Sequence, residues 1–190
     1  MAFDNIEIEL KFRVTEALFT SIGDLLSSGA LFKGEFRQID HYFVPKWNNY
    51  LAREFPFEWL SIRERGDNSV LNYKHFHPEG VEVTTHCDEY ECPISDPSTL
   101  VSIFREVGIE RAVIVDKTRK LYRFEDVEIT MDRVQGLGPF IEIEATREHG
   151  SIDGTRTHLN KIAERLRLMP PEAEVDYRGY PYLLWKSNAS

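Results

Sequence analysis

The chain has 190 residues, 42% of them hydrophobic and 29% charged, which suits one soluble globular domain over residues 1–190 with a substantial core. Lys and Arg number 23 against 32 Asp and Glu, a formal charge of −9. That balance argues against a nucleic-acid polymer held on a broad basic surface, yet a local cluster of cations can still hold a small polyanion. No apolar run approaches membrane-spanning length, and MAFDNIEIEL lacks a basic stretch leading into an apolar one. The expectation is a cytoplasmic protein, monomer or homodimer, with no signal peptide and no membrane association.

Residues 5–14 alternate with period two: Ile6, Ile8, Leu10, Phe12 and Val14 share one face, and Glu7, Glu9, Lys11 and Arg13 the other. A helix is expected over 15–28, with Thr15 as N-cap, a stripe of Leu18, Phe19, Ile22, Leu25 and Leu26, and Gly29 as the stop. Strands follow near 36–45, 58–65, 69–77 and 81–92. Cys87 and Cys92 fall on opposite faces of the last of these, so they are expected as free thiols. A second helix fits 97–107, capped by Asp96, opened by Pro97 and ended by Gly108. Strands near 111–124, 126–134 and 139–147 come next, with Gly136 and Gly138 marking a tight turn. A third helix is expected over about 155–168 and a short fourth around Tyr182–Trp185. Many sequential strands and few helices point to an α+β protein with an antiparallel sheet, closed into a barrel.

The chemistry lies in which residues share a strand face. Glu7, Glu9 and Lys11 stand at i, i+2 and i+4. Arg63 pairs with Arg65, Glu89 with Glu91, Lys117 with Arg119, and Glu142 with Glu144; Lys74 follows Asn72, and Asp132 shares a face with Glu128 and Thr130. Each charged face either looks at bulk water or into a lumen. Like-signed neighbours favour the lumen, because a surface shaped only for solubility mixes signs. Phosphate oxygens would neutralise the Lys and Arg, and Mg²⁺ or Mn²⁺ the carboxylates. His75 and His77 are set two apart, a spacing that more often marks surface or rim histidines than a metal pair.

Glu7-Ile-Glu9-Leu-Lys11 resembles the Glu-x-Glu-x-Lys signature of the CYTH superfamily, the triphosphate tunnel metalloenzymes. The order of Asp40-His-Tyr42, Arg63-Glu-Arg65, Lys74, Glu89-Tyr-Glu91, Lys117-Thr-Arg119 with Tyr122, Asp132, and Gly136-Leu-Gly138-Pro-Phe-Ile-Glu142-Ile-Glu144 also resembles that family. The resemblance implies a closed tunnel of eight antiparallel strands with helices packed outside. It implies that Lys11, Arg63, Arg65, Lys74, Lys117 and Arg119 bind phosphates, and that Glu7, Glu9, Asp132, Glu142 and Glu144 gather Mg²⁺ or Mn²⁺. Lys11, Lys74, Arg119 and Asp132 are the expected catalytic residues. Glu89 and Glu91 match acidic positions less securely.

Two subgroups compete. The run from Asp132 to Glu142 and the tail Asp176-Tyr-Arg-Gly-Tyr-Pro-Tyr-Leu-Leu resemble class IV adenylyl cyclases, which convert ATP to cyclic AMP and pyrophosphate. Glu58-Trp59-Leu60 resembles thiamine triphosphatases, where the Trp stacks on the organic part of the substrate; burial in the barrel wall is the other reading of Trp59. The implied partner is a small triphosphate: ATP, thiamine triphosphate or tripolyphosphate. A non-catalytic triphosphate-binding module is the alternative of another class.

Overall fold

In the computed structural model, which describes residues 5–188, the first alternating segment forms two strands, β1 (Ile6–Glu7) and β2 (Glu9–Val14), interrupted only at Ile8. Helix α1 (Glu16–Gly29) follows at once. The hydroxyl of Thr15 accepts from Leu18 N, as its place ahead of an apolar stripe predicts. Strands β3 (Leu31–Pro45), β4 (Glu58–Arg65), β5 (Asn68–His77) and β6 (His86–Ile94) form an antiparallel meander. Helix α2 (Pro97–Glu106) is capped by Asp96, which accepts from Thr99 N. Then come β7 (Ile109–Phe124), β8 (Val127–Val134), β9 (Gly138–Ala145), α3 (Ile152–Arg165), β10 (Ala173–Val175) and α4 (Tyr180–Asn188).

The strands make one curled antiparallel sheet in the order β1-β6-β5-β4-β3-β7-β8-β9-β2-β10. Ten strands replace the expected eight for two reasons. The first strand is divided at Ile8, so that β1 pairs with β6 while β2 pairs with β9. The tail also adds β10, whose three residues pair with Phe12–Val14. Several boundaries moved as well, and β3 begins at Leu31, well ahead of the expected start near 36. Val81 and Val83 alternate as a strand would but stay exposed, and β6 begins only at His86. Helix α3 starts at Ile152 because Ser151 accepts from Gly154 N and caps it there. Helix α4 extends past both ends of the expected Tyr182–Trp185. The turn after β8 is as expected: Gly136 sits at φ +83° and Leu137 N donates to Val134 O at 3.1 Å. Cys87 is buried, Cys92 is exposed, and both are free.

The apolar strand faces are covered from outside. Leu10, Phe12, Ile129, Ile141 and Ile143 meet Phe19, Ile22 and Leu26 of α1 and Leu159 and Ile162 of α3. Phe104 of α2 packs edge-on to Phe43, above Ile62. Helix α4 behaves differently. Its Tyr180 packs on Val113, Val115, Val134 and Phe140. By strand alternation those four share faces with Lys117, Arg119, Asp132 and Glu142, so α4 lies against the charged side of the sheet. Among the described residues, no helix is long and apolar enough to cross a membrane.

Candidate active site

Covering one side of each strand leaves the charged faces turned together onto a cavity of about 290 Å³. Strands β1 and β2 bring Glu7, Glu9 and Lys11. Strand β9 lies beside them in a register that sets Glu144 opposite Glu9 and Glu142 opposite Lys11. Strand β4 brings Trp59, Arg63 and Arg65, β5 brings Lys74, and β6 brings Glu89 and Glu91. Strand β7 brings Lys117 and Arg119.

The like-signed neighbours along each strand are matched across strands. Lys11 Nζ lies 3.1 Å from both Glu9 and Glu142. Lys74 bonds Glu7 and stands 3.4 Å from Glu89. Arg119 grips Asp132 with two parallel hydrogen bonds of 2.7 and 2.5 Å and also donates to Glu142. Arg63 donates to Asp40 at 3.0 Å and to Glu91 at 2.7 Å.

The matching is incomplete, and what is left over is polarised. Burial pushes the pKa of Glu7 and Glu9 up, with neighbouring carboxylates adding to the rise and Lys74 and Lys11 opposing it. Burial, with Glu7 and Glu9 close by, carries Glu144 to about 8. The opposite imbalance holds at Arg65 and Lys117, where burial and neighbouring guanidinium groups push the pKa down. Glu142 lies between the two poles; burial works against its charge, but Arg119, Lys11 and Lys117 hold its carboxyl well below the ordinary range. One wall thus crowds buried carboxyl groups whose ionisation is disfavoured, and the other crowds buried cations whose charge is disfavoured, each for want of countercharge. Crowded carboxylate oxygens short of countercharge are the donor set that suits Mg²⁺ or Mn²⁺.

A CYTH domain profile matches residues 5–179, nearly the whole chain. The chain belongs to the CYTH domain family. A Methanocaldococcus jannaschii protein that carries a provisional adenylate cyclase name is 30% identical over 141 residues, 73% of this chain and 76% of that protein. The Aeromonas hydrophila protein named adenylate cyclase CyaB is 22% identical over 190 residues, covering 95% and 90%. Among solved structures, a Pyrococcus horikoshii protein superposes with a TM-score of 0.76 at 26% identity, covering 95% and 99%. A Hippeastrum protein, provisionally called an adenylyl cyclase and described as having a dominant triphosphatase activity, superposes at 0.65 with 19% identity, covering 97% and 96%.

Of the residues expected to form the site of this CYTH domain, all but Asp132 line the cavity. Asp132 lies behind the lining, 0% exposed, and its Oδ2 also accepts from Tyr180 at 3.1 Å and stands 3.2 Å from Lys117. Trp59 is only 7% exposed, edge-on to Tyr42 and packed with Leu51 and Tyr182.

Sequence reasoning assigned no role to three further residues. Gln38 and Asp40 are buried on β3, where Gln38 accepts from Arg65 at 2.6 Å and donates to Asp40 at 2.7 Å, so both orient the β4 arginines. The run Gln38, Asp40, Tyr42 is itself a period-two polar face and could have been read as one. Tyr180 lies with its ring 4.7 Å from Lys11 Nζ and 4.8 Å from Lys117 Nζ. Only the likeness of the tail pointed toward it. The histidines of β5 and β6 stack as His75, His77 and His86 and bond to Glu79, Asp88 and Thr85 respectively.

The acidic wall predicts a pH dependence for the metal-free CYTH domain. An unfolded Glu144 releases its proton near 4.5, whereas the folded one keeps it to about 8. Its contribution to stability is fully present below about 4.5 and is lost as pH rises to about 8. Urea unfolding in chelator should therefore show Glu144→Gln gaining stability over the unaltered chain between pH 5 and pH 8. An unchanged difference across that range would remove the crowding.

Proposed function

We propose that the chain cleaves an organic triphosphate in a closed tunnel, with ATP as substrate and cyclic AMP and pyrophosphate as products. Closure is supported by the division of the first strand, which pairs with β6 on one side and β9 on the other. Cleavage is supported above all by the polarised wall, acidic at Glu7, Glu9 and Glu144 and basic at Arg65 and Lys117. Mg²⁺ or Mn²⁺ held by Glu7, Glu9, Glu142 and Glu144 would neutralise phosphate oxygens and favour attack on phosphorus. Arg63, Arg65, Lys117 and Arg119 hold phosphate oxygens from the other wall, with Arg as a planar fork and Lys as a point charge. Lys11 and Lys74, now bound to Glu9 and Glu7, turn to the triphosphate when those carboxylates are taken. The ribose 3′-oxygen bonds to the α-phosphorus, the bond to the β-phosphate oxygen breaks, and pyrophosphate leaves with its electron pair. The hydroxyl proton passes to solvent water, because the carboxylates of the acidic wall are engaged.

The second reading is a triphosphatase, in which water attacks the γ-phosphorus. The activity described for the Hippeastrum protein favours it, as does the burial of Trp59, which leaves little ring face for a base.

Purified chain incubated with ATP, thiamine triphosphate and tripolyphosphate, each with Mg²⁺ or Mn²⁺, separates these outcomes by product. Cyclic AMP supports the cyclase, and orthophosphate moves the function to the second reading. Saturable binding without any product defeats cleavage and leaves a binding module. With its ring walled in by Tyr42, Leu51 and Tyr182, Trp59→Ala should reduce kcat/KM for an organic triphosphate and for tripolyphosphate about equally, and a roughly tenfold larger loss for the organic substrate would give the ring a stacking role instead.

A further inference from the structure

Among the described residues, one group of three donor side chains already has its ligand atoms within 4.8 Å of one another, and it lies outside the cavity lining: Asp126, His149 and His158. They come from three elements, the β7–β8 turn, the link from β9 to α3, and α3 itself. His158 Nε2 bonds Asp126 Oδ1 at 2.8 Å. His149 Nε2 stands 3.0 Å from Asp126 Oδ2, yet too far off line to bond it, and this buried nitrogen has no hydrogen-bond partner. The two imidazoles stack at 4.0 Å and 19°, so both rings aim one nitrogen at the same carboxylate. A hydrogen-bonded Asp–His pair needs one histidine, and it does not explain the second nitrogen left without a partner.

The backbone beneath holds the donors in place. Asp126 O accepts from both Thr146 N and Thr146 Oγ1. His149 N donates at 2.9 Å to Thr155 Oγ1, which sits fully buried on α3 one turn before His158. Arg147 already donates to Asp126 Oδ2 at 2.9 Å and would share that oxygen.

From this geometry we propose that Asp126, His149 and His158 form a zinc-class metal site, two imidazole nitrogens and one carboxylate oxygen with a fourth position open to water. That donor set suits Zn²⁺ over Mg²⁺, which prefers oxygen ligands. The bound ion clips α3 to the turn between β7 and β8, next to Val127 and Ala145, where the strands carrying Glu128, Glu142 and Glu144 begin or end.

The test is calorimetric titration of Zn²⁺ into the full chain carrying Glu9→Gln, which weakens metal binding in the cavity. One equivalent should bind in the presence of millimolar Mg²⁺. His149→Ala and His158→Ala should each weaken it by at least about tenfold. The melting temperature should rise about 5–10 °C at a hundredfold excess over Kd, and His158→Ala should abolish the rise. Should the alanine variants fail to fold, imidazole ¹H–¹⁵N spectra of the unaltered chain decide: zinc should shift the Nε2 signals of two of the six histidines. No saturable zinc binding, affinity unchanged in both histidine variants, or no pair of shifted imidazoles would each overturn the site. None of these outcomes depends on which triphosphate is cleaved.

Discussion

Glu142→Gln is expected to lower turnover by at least about a hundredfold and to destabilise the fold by about 3–5 kcal/mol, while Glu9→Gln loses turnover similarly but melts higher than the unaltered chain. The two carboxylates look equivalent in the sequence and share the same lysine, 3.1 Å away from each. Their surroundings differ. Glu142 accepts from Arg119 and from Thr130 as well, and three cations hold its carboxyl well below the ordinary range despite burial. Removing its charge leaves Arg119 and Lys11 with less compensation in a buried place. Glu9 is pushed the other way by burial, Glu142 and Glu7, so it is a charge the fold tolerates rather than needs. The signs on pH follow. The contribution of Glu142 is present above its unfolded pKa and fades only in strong acid, whereas that of Glu9 fades as pH rises past 4.5. Thermal melts at pH 7 in chelator, beside turnover with Mn²⁺, measure both effects. Melting shifts of the same sign in the two variants would show that the wall is not polarised as described.

Why Glu9 and Glu142 differ could not be read from the sequence. The faces could, because alternation is local: Glu7, Glu9 and Lys11 on one side of a strand, and Leu10, Phe12 and Val14 on the other, follow from a two-residue period. The caps Thr15 and Asp96 were legible for the same reason, as each bonds a backbone amide three residues on. Register is not local. That Lys11 lies opposite Glu142 and Arg119 opposite Asp132 depends on how β2, β9, β7 and β8 align, so the sequence showed like-signed pairs and missed the cross-strand matches. The division at Ile8 was hidden too, since alternation runs straight through it. Alternation gave no hint of Tyr180, to which only the likeness of the tail pointed: it enters the charged side because α4 folds back onto β7 and packs it on Val113 and Val115, far away in the chain. Val81 and Val83 show the reverse error, a strand-like pattern that finds no partner strand.

Asp132→Asn should cost about 3–5 kcal/mol and reduce kcat/KM for the triphosphate at least about a hundredfold, while leaving the apparent affinity for Mn²⁺ nearly unchanged. The family resemblance names Asp132 among the metal-gathering carboxylates. Its surroundings favour another role, since the carboxylate is off the cavity lining and saturated by protein donors. Oδ1 takes Arg119 Nε, and Oδ2 takes Arg119 Nη2 and Tyr180 Oη with Lys117 alongside. An asparagine of the same shape keeps one acceptor and turns an NH₂ toward a guanidinium or a hydroxyl that also donates. Arg119 then loses its two-point anchor, and Lys117, already short of countercharge, loses the one carboxylate within 3.5 Å among the described pairs. Both groups belong to the wall proposed to hold phosphate, so the loss should appear in triphosphate affinity. A ligand of the metal would behave in the opposite way, with the Mn²⁺ concentration needed for half-maximal activity rising in step with the loss of rate. Titrating Mn²⁺ at saturating triphosphate and triphosphate at saturating Mn²⁺ separates the two. A tenfold or larger rise in the Mn²⁺ requirement would return Asp132 to the metal, and a shift confined to the triphosphate would fix it as the residue that aims Arg119.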